Sequence, residues 1–208
     1  MNLLSILAAS MVISAVATGA PAQTISPEEI AAMVEDKVAT INPYQELLNN
    51  PDPARSLAAM QIMLESGDAE LVRLALEFGI LSPSSAVRRT AFESYLTSQP
   101  VFSITIDGKG IKDNSYVSRI RSVWNGTLDA DGTGYWRIPV GPPLPEQKCH
   151  TNIEQPGTCF VTVNADGIFL TATYLNARGE ISEDGRIVGV ANVDAVAEPL
   201  PFSIKLLD

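Results

Sequence analysis

The stretch GPPLPEQKCHTNIEQPGTC concentrates the residue types that do chemistry most directly, because it contains both cysteines and the only histidine of the 208-residue chain. A zinc site needs three or four converging ligands, and a catalytic one keeps a position open for water. Cys149 and His150 are adjacent, so in extended chain their side chains point to opposite faces. Cys159 follows ten residues later, without the C-x-x-C or H-x-x-x-H spacing of a metal site. The same residues read more simply as a disulfide, Cys149 to Cys159, which closes a proline-rich loop and leaves His150 exposed beside it. In the chain-entropy model a loop this short stabilises by about 2–3 kcal/mol. A nucleophile activated by His150 would need a third group to hold the imidazole and a motif such as G-x-S-x-G, and neither is present. No metal, cofactor or catalytic residue is expected from these positions.

Carboxylates are numerous, but turn and helix chemistry accounts for them. Asp129 and Asp131 in DADG and Asp166 in NADG look like calcium-loop fragments that do not continue as an EF-hand would. Asn125-Gly126-Thr127 matches a glycosylation sequon and equally a turn. The aromatics Trp124, Tyr135 and Trp136 are the candidate ligand-binding residues. A hairpin could bring the two indoles together as a platform for a sugar ring, and the competing use is ordinary core packing. No Walker A, G-x-G-x-x-G or haem-attachment pattern occurs.

The charge balance narrows the partners. Fourteen basic against 24 acidic residues give a formal charge of −10. Residues 23–98 carry 5 basic and 11 acidic side chains and the remainder 9 and 13, so both parts are acidic. Nucleic-acid binders carry a clustered basic surface that displaces counterions, and none is visible here. Nucleic acid is therefore excluded as a partner. At the start of the chain, an apolar run over residues 3–16 leads to Ala20-Pro21-Ala22, the layout of a secretory signal peptide spanning residues 1–22. The run is shorter than a membrane-spanning helix needs, and no stable span is expected after cleavage. The expected location is the periplasm or the extracellular space, where two cysteines are readily oxidised.

These residues must be carried by two kinds of element. SPEEIAAMVEDKVATIN opens with Ser26 as N-cap, Pro27 at the first helical position and Glu29 completing a capping box. Ile30, Met33, Val34, Val38 and Ile41 then recur on one helical face, and Asn42-Pro43 is expected to end the helix. From Asp52 three segments align without gaps at a spacing of 16: DPARSLAAMQIMLESG, DAELVRLALEFGILSP and SSAVRRTAFESYLTSQ. Asp52, Asp68 and Ser84 or Ser85 cap them, and the column Ala59, Ala75, Ala91 would let successive helices approach closely. After Pro100 the period becomes two, with Asx-Gly pairs at 107–108, 125–126, 131–132, 166–167 and 184–185 that suit hairpin turns. Six to eight short strands joined by tight turns predict an antiparallel sandwich or small barrel. The fold class is thus α+β, with a helical repeat or bundle over residues 23–98 and an all-β part over 99–208.

AVRRTAFESYL resembles the second helix of a HEAT-type repeat, with Val87, Arg88, Ala91 and Tyr95 on the pattern, and LVRLALEFGIL is a looser copy. The resemblance covers about 50 residues, and the units here are single helices rather than the usual pairs of ~40 residues. It implies a stacked helical scaffold for protein–protein contact. Three functions are compatible with the chain. The first is a non-enzymatic exported scaffolding protein whose partner is another envelope or extracellular protein. The second is a carbohydrate- or small-ligand-binding β-domain, and the third is a hydrolase with carboxylates on separate loops.

Overall fold

The computed structural model describes residues 25–207. The expected signal peptide lies outside the described residues. Among them, no helix is long and apolar enough to cross a membrane. The described residues divide into residues 25–41 and a unit of residues 42–207.

Helix α1 (Pro27–Leu48) begins as the sequence requires: the Glu29 amide donates to Ser26 Oγ at 3.1 Å, and the Ser26 amide donates to the Glu29 carboxylate at 2.8 Å. It does not end at Asn42. Pro43 lies inside the helix, which continues for one more turn. A proline there removes one amide donor without preventing helical φ, and beyond it Leu48 is buried in the core with Tyr44 half-buried against that core. That packing compensates for the missing hydrogen bond.

Helices α2 (Pro53–Glu65), α3 (Ala69–Ile80) and α4 (Ser85–Thr97) repeat at the 16-residue spacing, each opened by a side-chain cap. Asp52 accepts from the Ala54 amide, Asp68 from Glu70 and Leu71, and Ser84 from Val87. The alanine column sits where the helices meet, and Ala75 and Ala91 are fully buried. Gly79 marks the tightest approach. A Cβ there would lie 2.4 Å from the Ala91 Cβ and 2.8 Å from the Met60 sulfur, so only hydrogen fits between α2 and α4.

The β part is a closed antiparallel barrel of eight strands. Strand β1 (Val101–Asp107) pairs with both β3 (Thr133–Leu144) and β9 (Leu200–Lys205). From β3 the chain meanders through β4 (Cys149–Asn152), β5 (Cys159–Asn164), β6 (Gly167–Ala172), β7 (Leu175–Ile181) and β8 (Arg186–Val193) to β9. Strand β2 (Thr127–Leu128) pairs only with β3 and lies outside the ring. Between the two architectures expected from the sequence, closure through β1 decides for the barrel. A closed ring leaves none of its strands with an unpaired edge.

The register sets apolar residues of neighbouring strands side by side on the inner face. Ile104 faces Trp136 on one side and Ile204 on the other, Ile204 faces Ile187, and Leu170 faces Val161. These side chains are buried and fill the barrel. Gly179 completes the fit: a Cβ there would stand 3.0 Å from the Phe202 ring, which occupies the space instead. Eight strands give an interior that side chains just fill.

Both ends of the barrel are covered. At one end Phe92 of α4 stacks on Phe102 at 6.2 Å, and the β7–β8 turn at Gly185 rests against Ile80 and Leu81. At the other end lies a short helix, α5 (Asn114–Ser118), extended by a π-helical turn over Arg119–Val123. The fully buried Tyr116 of α5 donates to the carbonyls of Ile106 (3.3 Å) and Gly132 (3.0 Å). This helical segment corrects the expectation of hairpin turns at 107–108 and 125–126. Asp131-Gly132, Asp166-Gly167 and Asp184-Gly185 do lie where adjacent strands are joined.

Candidate functional site

The sequence-derived candidates come first. Cys149 and Cys159 form a disulfide with Cα atoms 5.6 Å apart, within the span that a bridge requires. It ties β4 to the start of β5 across the loop between them. Within that loop the Gln155 amide donates to Asn152 Oδ1 at 2.6 Å, which adds a second local tie. His150 is not the exposed side chain expected. It is half-buried, and burial lowers its pKa, opposed in part by a hydrogen bond to the Gly141 backbone. Its Nδ1 is buried with no hydrogen-bond partner.

Trp124 and Trp136 do come together, with centroids 4.8 Å apart and planes inclined by 17°. They are only 6 % and 7 % exposed, and the Trp124 indole N–H donates to the Thr173 carbonyl at 2.8 Å. Their faces are spent on each other and on the core, so they offer no open platform to a sugar. Tyr135, next along β3, points to the other side and is 41 % exposed. The aromatic trio is therefore not one site. The signal for burial was present in the sequence: Tyr116, Ile120 and Trp124 recur every four residues, the spacing of a helix face.

Charged groups gather in a small cleft between α4 and the β5–β6 turn, lined by Arg88, Arg89, Asp166 and Glu180. Arg88 donates to the Ser82 carbonyl at 2.6 Å, and Arg178 donates to the Asp166 carbonyl at 2.9 Å. The cleft carries two charges of each sign and has no net preference for an ion. Among the described residues no group of three or more His, Cys, Asp or Glu side chains is placed to hold a metal ion.

The concavity with the clearest chemical character lies elsewhere, on the helices. The last turn of α1 and the outer side of α2 enclose a groove of about 380 Å³. Tyr44 and Leu47 form one wall; Ala58, Ile62 and Met63 form the other, and Leu71 of α3 contributes at one side. The groove exists because α1 is anchored at this point: the buried Ser56 hydroxyl of α2 donates to the Leu48 carbonyl. Small Ala58 and Ala59 leave the space open. Ile62 is 70 % exposed and Leu47 51 %, so the lining meets water. Arg55 is its only charged lining residue, 3.6 Å from the Asp52 carboxylate in an exposed pair. An apolar depression of this size with a polar edge accepts an apolar side-chain face. It holds no converging acid, base or nucleophile.

Sequence reasoning located the apolar pattern of these helices but not the groove, because its far wall depends on α1 continuing beyond Pro43. No protein-family model, no curated protein and no solved structure matches this chain.

Proposed function

We propose that the protein is a non-enzymatic, exported contact protein whose helical part docks a protein partner. The observation that carries this reading is the groove between α1 and α2, where Ile62 stands 70 % exposed amid other apolar side chains. An isolated apolar residue on a surface needs no explanation, whereas several converging in a depression mark an interaction site. The barrel supports the reading indirectly. Its interior is filled and both ends are covered, so it serves better as a rigid base than as a ligand cup. Export is supported by the signal-peptide pattern in the sequence and is compatible with the disulfide. The HEAT-type resemblance of α3 and α4 points in the same direction.

A photo-activatable cross-linker placed at Ile62 in the native host tests the docking role. Covalent capture of a protein at that position, lost when Leu47 is changed to Asp, is the expected outcome. Cross-linking to solvent alone would remove the contact role.

A further inference from the structure

The charged cleft between α4 and the β5–β6 turn has a feature that the groove lacks: its charges line one space without pairing. The space is about 200 Å³, and Arg88, Arg89, Asp166 and Glu180 all contribute to it. Among the described residues, none of the four belongs to an ion pair. Both arginines are nonetheless half-buried. Withdrawing a guanidinium from water is costly unless a counter-charge or hydrogen bonds replace the lost hydration.

Two of these groups are held in place by bonds that leave charge free for a ligand. Arg88 Nη1 donates to the Ser82 carbonyl at 2.6 Å, which fixes the guanidinium while using only one of its donors. Asp166 is fixed through its backbone: its amide donates to Asn164 Oδ1 at 2.8 Å, and its carbonyl accepts from Arg178 at 2.9 Å. Its carboxylate takes no part in either bond. The lining also includes apolar side chains, with Phe92 and Ile168 buried and Ile181 half-buried.

We propose that this cleft binds a small zwitterion, a molecule of amino-acid or dipeptide size that carries both a carboxylate and an ammonium. Two charges of each sign oppose a lone anion or a lone cation as much as they attract it, whereas a zwitterion satisfies both pairs. The carboxylate goes to Arg88 and Arg89, because a guanidinium fork matches two carboxylate oxygens. The positive end of α4, where Ser85 also lines the cleft, adds to that attraction. The ammonium goes to Asp166 and Glu180, and an apolar side chain rests on Ile181. The volume lies below the range of drug-sized pockets, which limits the ligand to a small one. This inference goes beyond the contact role of the groove and does not depend on it.

Isothermal titration calorimetry on the full chain, with L-leucine and L-leucyl-L-leucine as probes, tests the proposal. At least one should bind, and the tighter of the two sets the size of the ligand. The amide of that probe lacks the carboxylate, and its des-amino analogue lacks the ammonium. Each should bind at least about 10-fold more weakly than the zwitterion. Arg89→Gln should weaken the zwitterion by a similar factor without weakening its amide. Asp166→Asn combined with Glu180→Gln should weaken the zwitterion without weakening the des-amino analogue. A variant that merely distorted the cleft would weaken all probes alike, and circular dichroism checks folding. No binding of either zwitterion up to about 10 mM overturns the proposal. So do analogues that bind as well as the zwitterion, and variants that change no probe or all probes equally. None of these outcomes bears on cross-linking at Ile62, so the contact role is judged separately.

Discussion

Around the barrel, each of the eight ring strands has a hydrogen-bonded neighbour on both sides, and the last strand returns to the first. In the helical part, α2 packs on α3 but carries an open groove on its other side. The difference comes from topology. A ring has no ends, so a single closing pair, β1 with β9, satisfies all its strands at once. A row of helices stacked one on the next has two ends, and each end presents an apolar face unless something caps it. In this chain the α4 end is capped by the barrel through Phe92 and Phe102. The α2 end is not capped in the same way, which is why the candidate site is there.

This contrast can be broken by substitution, and the largest effect belongs in the barrel. Trp136→Ala removes a stacked, buried ring and should cost about 3–5 kcal/mol, read as a large fall in chemical-denaturation midpoint. Ile62→Ala in the groove should stay within about 0.5 kcal/mol, as for an exposed surface change. Comparable losses at both positions would erase the distinction between filled and open regions. Next in size is the disulfide. Replacing Cys149 and Cys159 together by Ser should cost about 2–3 kcal/mol, measured by urea unfolding without any change in the groove. An intermediate effect is expected at the helix contact. Gly79→Ala forces a methyl against Ala91 and Met60 and should cost about 1–3 kcal/mol by overpacking; a stabilised variant would show that α3 has room to shift.

The last effect shows only at alkaline pH: it comes from Tyr116 and sharpens the comparison by titrating a barrel plug. Burial raises its pKa to about 12, the largest influence on it. The folded state therefore holds the proton more tightly than the unfolded chain, whose tyrosines titrate near 10. This contribution is complete below pH 10 and is lost as pH rises from about 10 to 12. The stability difference between wild type and Tyr116→Phe should accordingly shrink over that interval, followed by thermal melts. A constant difference would mean that the phenol is open to solvent in the folded protein.

How much of this was legible in the sequence depends on how local each determinant is. The caps at Asp52, Asp68 and Ser84 act over two or three residues, so the 16-residue repeat is visible in the chain. The disulfide follows from having two cysteines ten residues apart. Pro43 misled because its local effect is to break a helix, while the burial of Leu48 in the core, with Tyr44 packed against that core, outweighs it. The segment from Asn114 to Val123 was missed because it is short and is framed by two Asx-Gly pairs that mimic hairpin turns.

By itself, then, the sequence determined the order of helices before strands, the helix caps, three of the joints between strands and the acidic charge. All of these depend on neighbouring residues or on composition. Only the tertiary structure decided that the sheet closes, that Trp124 and Trp136 are core, and that the helices leave a groove between α1 and α2. Each of these depends on residues distant in the chain meeting in space: β1 reaches β9, the Trp124 indole reaches Thr173, and Leu48 is held by Ser56. Such contacts are fixed by packing and loop closure, which one-dimensional periodicity does not record.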